Sequence, residues 1–207
     1  MTVIREPVLM PVAIDDLRPT QITVGRREVE IKRKVWRDRT RKKEREFLGR
    51  HMIPVIKGLK GRFYVIDHHH LALSLHEEGV KDVQIVIYGD LSMVDEALFW
   101  PTMSARSWVH PFDAKGKRRE YEAIPKHLRE LVDDPYRSLA GELRRIGGFS
   151  KETAAFSEFQ WADFLRRRIK KSVVDKEFSR ALEEAMKFAK SRDAIYLPGW
   201  CGPDPED

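Results

Sequence analysis

The stretch Val65-Ile66-Asp67-His68-His69-His70 joins a predicted strand, Arg62–Ile66, to a predicted helix, His68–Glu78. Gly79 follows the helical run and is a typical helix terminator. A turn between a strand and a helix exposes backbone N–H groups and the positive end of the helix dipole, which suit a phosphate or another anion. This turn is therefore the first candidate for a functional site.

The elements around this turn predict an α+β core. Alternating apolar residues from Val8 to Ile14 indicate a half-buried strand, and Val83–Tyr88 is a second apolar run of strand length. Ile53–Lys57 and Arg62–Ile66 are β-prone and are separated by a loop containing two glycines, which predicts a hairpin. The Asp15–Gln21 segment is predicted to be a turn, and Pro19 disfavours helix at the residue before it.

Helical patterns dominate the second half of the chain. Predicted helices cover Leu91–Trp100 (capped by Asp90 or Ser92), Pro125–Leu131, Pro135–Ile146, Phe156–Ile169 and Asp175–Ala189. We therefore expect a core domain over 1–100, an irregular connector over 101–124, a helical extension over 125–197 and a tail over 198–207. In Asp134-Pro135, the two residues suit the N-cap and first helical position.

Composition limits the class of protein. The chain has 207 residues, of which 42% are hydrophobic and 10% aromatic, so it can build a core and is not generally disordered. It contains no apolar run of the ~20 residues that span a bilayer, and its first residues lack the features of a signal peptide. Cys201 is the single cysteine, which excludes an internal disulfide and a cysteine-based zinc site. We expect a soluble cytoplasmic protein.

The net charge of +6 belongs to one segment. Residues 26–50 contain twelve basic and five acidic side chains, and Val24–Leu48 is predicted to form a largely exposed helix or helix pair. Such a segment either binds nucleic-acid phosphates or is simply a solvated helix surface. The residues proposed for nucleic-acid binding are Arg33, Lys34, Arg37, Arg41 and Lys42.

Three consecutive histidines at the turn suggest chemistry near neutral pH. Imidazoles can donate hydrogen bonds to phosphate oxygens or relay protons, and Asp67 stands where a helix N-cap is expected. The alternative is an Asp N-cap beside partly buried histidines that only satisfy local carbonyls. Successive helical residues point about 100° apart, so a single metal ion would reach at most two of the three histidines, and no dedicated metal site is predicted.

Three other side chains are candidates for contacts with a phosphate, a sugar or a base. Lys57 on the predicted hairpin could neutralise a phosphate or could be solvated, and Arg18 is a similar candidate. Gln21 could hydrogen-bond a ligand or only its own turn. These alternatives remain open at the level of the sequence.

Three blocks together resemble ParB-like proteins, and more specifically the ParB-like nuclease family. They are Leu17-Arg18-Pro19-Thr20-Gln21 with the Asp67-His68-His69-His70 turn, Asp133-Asp134-Pro135-Tyr136-Arg137-Ser138-Leu139-Ala140, and Phe159-Gln160-Trp161-Ala162-Asp163-Phe164-Leu165-Arg166. The resemblance covers most of residues 8–170. It implies a ParB/sulfiredoxin-like N-terminal core with a helical C-terminal extension.

The resemblance also implies a function. In that superfamily the turn matching Asp67–His70 binds nucleotide phosphates, and members include CTP-hydrolysing partition proteins, ATP-using sulfiredoxins and free-serine kinases. Sulfiredoxins carry a catalytic cysteine at this turn, so the position of Cys201 excludes their chemistry. Partition proteins usually carry arginines where this chain has histidines. Free-serine kinases use an early carboxylate as base, and its nearest counterpart here is Gln21.

We therefore expect nucleotide-dependent phosphate chemistry at the Asp67–His70 turn, either phosphoryl transfer to a small acceptor or NTP hydrolysis. His68, His69 and Asp67 are the expected catalytic residues, and Arg18, Gln21, Lys57 and His70 the expected nucleotide- or phosphate-binding residues. The expected ligand is ATP, ADP or CTP, with Mg²⁺ as its counter-ion. The alternatives are a partition-like or nuclease-like protein that binds DNA, and a non-catalytic nucleotide-binding module.

Overall fold

The computed structural model describes residues 9–38 and 41–203 of the chain; side chains are described from residue 10 and, in the second range, from residue 46. The strands are β1 Leu9–Ala13, β2 Leu17–Arg18, β3 Thr23–Val24, β4 Ile53–Lys57, β5 Phe63–Val65, β6 Asp82–Asp90 and β7 Val132–Asp133. The helices are α1 Arg26–Arg37, α2 Arg41–Arg50, α3 His69–Glu77, α4 Glu96–Ala105, α5 Pro135–Arg145, α6 Ser157–Arg166, α7 Lys171–Lys176 and α8 Phe178–Lys190.

The first half of the chain forms a five-stranded mixed sheet in the order β1-β6-β4-β5-β2. β4 and β5 are antiparallel, with Ile56 opposite Tyr64, which confirms the predicted hairpin. β6 runs parallel to β4 and antiparallel to β1. β2 was predicted to be part of a turn, but it pairs in parallel with β5 through Arg18 and Tyr64. Two residues are too few to give a local strand signal, so tertiary pairing forms β2.

The two faces of this sheet are both apolar. Val55 and Val65 are fully buried, and they alternate along their strands with Ile56 and Tyr64. Ile56 and Tyr64 pack in a cluster with Phe99 of α4. The sheet is thus covered on both sides, which explains why its central strands are rich in apolar residues.

Two helix predictions in the middle of the chain are wrong. The helix expected at Leu91–Trp100 begins at Glu96 instead and is capped by Asp95, which accepts from the backbone N–H of Ala97 at 2.8 Å. Asp90 and Ser92 do not cap it, because Asp90 accepts from both the backbone N–H and the hydroxyl of Ser92 in a local turn.

α4 also continues through Pro101 to Ala105, within the region expected to be irregular. The second wrong prediction is Pro125–Leu131, where the chain forms only the short 3-10 turn Leu128–Glu130.

The helical second half is confirmed. α5 begins as expected, with Asp134 as the N-cap accepting from the Tyr136 N–H at 3.0 Å and Pro135 in the first turn. α5, α6 and α8 enclose a core that includes Leu139, Trp161 and Ala185.

The expected tail is partly packed. Pro198 accepts from the Trp161 indole N–H at 2.8 Å, and the Trp200 indole donates to the carbonyl of Ser191 at 3.1 Å. The rest of the expected tail, 204–207, lies outside the described residues.

The described chain divides into two compact units. One comprises the residues up to Thr23 with Val29–Asp113 and Lys117–Val132, and the other comprises Val24–Glu28, Ala114–Gly116 and the residues from Asp133 onward. The Asp67–His70 turn belongs to the first unit. No helix within residues 9–38 and 41–203 is long and apolar enough to cross a membrane.

Candidate functional site

The Asp67–His70 turn leaves the start of α3 open. His68, and not Asp67, is the N-cap residue, and its backbone is left-handed with φ of 65°. The expectation that Asp67 caps the helix is wrong, because its Oδ1 accepts at 2.6 Å from the N–H of the adjacent His68. The His68 side chain makes no capping hydrogen bond, and its Nδ1 lies 3.0 Å from the carbonyl oxygen of Met52. The first N–H groups of α3 therefore receive no acceptor from their N-cap side chain.

His69 and His70 differ from His68 in burial. His69 is 4% exposed and His70 8% exposed, whereas Asp67 and His68 are exposed to solvent. The three histidines thus do not act as one equivalent group. Asp67 and His68 are the members of the turn that a ligand in solution meets first.

His69 fixes the Leu17–Gln21 segment against the turn. Its Nε2 accepts from the backbone N–H of Thr20 at 3.1 Å, and the Thr20 hydroxyl donates to the carbonyl of Val65 at 2.6 Å. Burial lowers the pKa of His69 to about 3. The ring is therefore neutral at physiological pH, with its proton on Nδ1. Thr20 was not singled out in the sequence, although it lies in a block that carries the family resemblance.

The other predicted phosphate ligands contact groups outside the turn. Gln21 is buried, and its amide donates to the carbonyl of Thr23 at 2.6 Å. Lys57 forms an ion pair with Asp90 at 3.4 Å. It lies opposite Phe63, which precedes Asp67 by four residues, so Lys57 and Asp67 are separated by roughly 13 Å along the strand direction. Arg18 donates to the carbonyl of Lys126 at 2.8 Å.

The basic segment is partly neutralised within the first unit. Arg33 Nε lies 2.7 Å from Glu78 Oε1, and Arg37 contacts the same carboxylate through Nη2 at 2.7 Å. Both hydrogen bonds lower the pKa of Glu78, and the one from Arg37 has the larger effect. Lys34 is exposed, and the side chains of Arg41 and Lys42 lie outside the described residues. Two of the five cations proposed for nucleic-acid binding are thus paired with Glu78, the residue just beyond α3.

A pocket of about 500 Å³ in the first unit was not anticipated from the sequence. Its walls are aromatic, and its lining carries four basic side chains and two glutamates. The aromatic residues are Tyr64, Phe99, Trp100 and Tyr121, and the charged ones are Arg18, Lys60, Arg62, Lys126, Glu96 and Glu122. These residues come from four separate segments, so no local motif reveals the pocket. Among the described residues, no group of three or more His, Cys, Asp or Glu side chains could hold a metal ion.

Comparison with known proteins gives the family. The model of the family described as "Putative ParB-like nuclease" matches residues 10–167. The crystal structure of protein Atu1540 from Agrobacterium tumefaciens is 53% identical, with a TM-score of 0.91, and the match covers 96% of this chain and 99% of that one. No match was found among curated proteins. Since the family model spans most of the chain and includes the turn with its three histidines, the protein belongs to the ParB-like nuclease family.

Proposed function

We propose that the Asp67–His70 turn binds the phosphate groups of a nucleotide and supports phosphoryl transfer to a small acceptor or hydrolysis of the nucleotide. The observation that carries this proposal is the open start of α3, where the N-cap side chain accepts no backbone N–H. A helix N-terminus without a side-chain cap points its first N–H groups and the positive end of its dipole toward this position, and both favour an anion there. The nine-residue α3 is long enough to contribute such a dipole.

The exposed residues of the turn supply the chemistry. The Nδ1 atom of His68 faces the Met52 carbonyl at 3.0 Å, so its Nε2 remains for a phosphate oxygen or a proton in transfer. Asp67 is exposed and carries a carboxylate that suits the Mg²⁺ ion of a bound nucleotide. Neutral His69 acts as a positioning residue, because it holds Thr20 beside the turn through Nε2.

A thermal-shift series tests the proposal. ATP, ADP and CTP are each added with Mg²⁺, and at least one is expected to raise the melting temperature of the wild-type protein. His68→Asn should reduce that shift, since asparagine tolerates the left-handed backbone but lacks the imidazole. Lys187→Gln, a change at an exposed residue of α8 that belongs to neither the turn nor the aromatic pocket, should keep it. The proposal fails if no nucleotide raises the melting temperature, or if nucleotide raises the melting temperature of His68→Asn as much as that of the wild-type protein.

A DNA-directed function is the second candidate, and the family description supports it. The exposed cations of α1 would contact DNA phosphates, and each contact would steepen the decrease of affinity with salt. Fluorescence anisotropy with a labelled duplex at 50 and 200 mM salt measures this. Cleavage that His68→Asn abolishes would assign nuclease activity to the turn. Binding without cleavage would leave a partition-like role, and absence of binding would exclude both.

A further inference from the structure

The aromatic pocket of the first unit has a rigid wall. Trp100 stacks on Tyr121 with ring centroids 5.6 Å apart and an angle of 13° between the planes. The edge of Trp100 also meets Tyr64 at 5.7 Å and Phe99 at 5.1 Å. Trp100 is only half-buried, although Phe99 beside it is fully buried. The pocket therefore presents an aromatic surface that a planar ring could extend by stacking.

The charged side chains that line this pocket do not form ion pairs with one another. Lys60, Arg62 and Lys126 form no side-chain ion pair with any described residue, and neither Glu96 nor Glu122 pairs with these cations. Arg18 is held by the carbonyl of Lys126, which is a neutral acceptor. Both the positive and the negative groups thus remain available to a ligand.

The backbone at Lys60 adds to this arrangement. Lys60 is left-handed, with φ of 57°, in a loop where Gly61 is also left-handed. The left-handed conformation is strained for a lysine because of its Cβ atom, and such residues cluster at ligand sites. The strain thus falls on one of the four cations that line the pocket.

We propose that this pocket binds a phosphorylated nucleoside as a second ligand site, separate from the turn. The four cations suit a phosphate dianion, the glutamates suit hydroxyl or amino donors of sugar and base, and the Trp100–Tyr121 stack suits the base. A volume of about 500 Å³ is typical of pockets that enclose small organic ligands. A single small carboxylate would leave most of this space and charge unused.

The pocket and the turn are distinct in structure. Tyr64 lines the pocket and packs with Phe99 of α4, whereas the next residue, Val65, points to the opposite face of the sheet. None of the residues from Asp67 to His70 lines the pocket. The inference therefore does not rest on the function proposed for the turn.

Binding of AMP without added Mg²⁺ tests the inference. Titration of the full-length protein, followed by tryptophan fluorescence and by calorimetry, should give an affinity at least tenfold tighter for AMP than for adenosine or inorganic phosphate. Arg62→Gln should weaken AMP binding about tenfold or more, because it removes one of the charges that would face the phosphate. Arg129→Gln makes the same change outside the pocket and should bind like wild type. Equal binding by adenosine, or unchanged binding by Arg62→Gln, would overturn the inference.

Two further variants test whether AMP binds in this pocket. Trp100→Phe should remove the fluorescence change while calorimetry still detects AMP, since phenylalanine retains a stacking ring. Comparison of His68→Asn with Arg62→Gln locates the ligand: loss of AMP binding in His68→Asn but not in Arg62→Gln would place it at the turn and overturn the inference.

A 5′-phosphorylated adenylate hexamer tests whether the ligand is a free nucleotide or the end of a single nucleic-acid strand. If the pocket takes the end of a single strand, the hexamer should bind at least tenfold tighter than AMP, and Arg62→Gln should weaken both. If it takes a free nucleotide, AMP should bind as tightly as the hexamer or more tightly. Absence of binding by both probes at millimolar concentration would contradict the proposal.

Discussion

His69 shows how one buried side chain links the turn to a distant segment. It accepts the Thr20 N–H while Thr20 donates to Val65, so the Leu17–Gln21 segment and the end of β5 are held together. The sequence places three histidines side by side, but burial makes them unequal. That difference depends on the fold around each ring, and so the sequence alone predicts the turn but not the role of each histidine.

The depressed pKa of His69 predicts a pH-dependent stability. Since its folded pKa of about 3 lies below the ordinary 6.5, the unfolded chain binds a proton between these values that the folded chain does not. Its contribution to stability is complete above pH 6.5 and decreases as the pH falls. From pH 6.5 to 5, His69 should account for a loss of up to about 2 kcal/mol.

Urea denaturation at pH 6.5 and 5 measures this effect. In His69→Gln the side chain does not titrate and its carbonyl can still accept from Thr20, so the decrease between the two pH values should be smaller than in wild type. The same decrease in both proteins would show that His69 titrates normally in the folded state.

Asp134 is a residue whose role the sequence did predict. Its position before Pro135 indicated an N-cap, which the structure confirms, but its ion pair with Arg166 was not foreseen because the partners lie 32 residues apart. Asp134 is 1% exposed. Asp134→Ala should lower the free energy of unfolding by roughly 3 kcal/mol, since it removes a cap and leaves Arg166 with one carboxylate fewer.

A matched control exists at the start of α4. Asp95 is an exposed N-cap, so Asp95→Ala should lower the free energy of unfolding by only about 1 kcal/mol. Comparable losses for the two variants in chemical denaturation would refute the contribution of the buried ion pair.

At the scale of elements, helix α1 was predicted from charge and composition, but its partners were not. Arg33 and Arg37 lie one turn apart, and this spacing lets both reach Glu78 just beyond α3. A charged segment that looked exposed in the sequence is therefore held by acids elsewhere in the chain. Long-range pairing of this kind leaves no periodic signal in the sequence.

Glu78 should compete with DNA for these arginines. If α1 binds DNA, Glu78→Gln frees Arg37, whereas Arg33 keeps its ion pairs with Glu30 and Glu77. Affinity should therefore increase severalfold, and the salt dependence should become steeper. Asp82→Asn removes a charge of the same sign at an exposed residue that forms no ion pair with the described residues of α1, and it serves as the control in anisotropy measurements. An affinity that Glu78→Gln leaves unchanged or lowers would argue against DNA binding through α1.

The β4–β5 hairpin was predicted correctly, whereas its packing against α4 was not. A Cβ atom added at Gly58 would come within 2.5 Å of the Tyr64 ring and 2.7 Å of the Phe99 ring. Gly58→Ala should therefore destabilise the protein by about 1–3 kcal/mol and disturb the aromatic pocket. Gly49 in α2 has no neighbouring atom within 4 Å of such a Cβ, so Gly49→Ala should be neutral or stabilising. Equal melting temperatures for the two variants would contradict this packing.

For the whole molecule, the sequence predicted an α+β first half and a helical second half because these patterns are local. It could not predict the two units, in which Val24–Glu28 belongs with the residues from Asp133 onward although more than a hundred residues separate them. It also missed the pocket, whose lining converges from segments between Arg18 and Lys126. Features that combine distant segments of the chain could therefore be recognised only in the structure.

The central claim is that the backbone at the start of α3 receives a nucleotide phosphate. Amide ¹H–¹⁵N spectra of the labelled protein, recorded while ATP, ADP or CTP is added with Mg²⁺, test it most directly. We predict that the N–H signals of His69, His70 and Leu71 shift most with at least one nucleotide, and that His68→Asn reduces these shifts. Saturating amounts of all three nucleotides that leave these amide signals unmoved would contradict the claim.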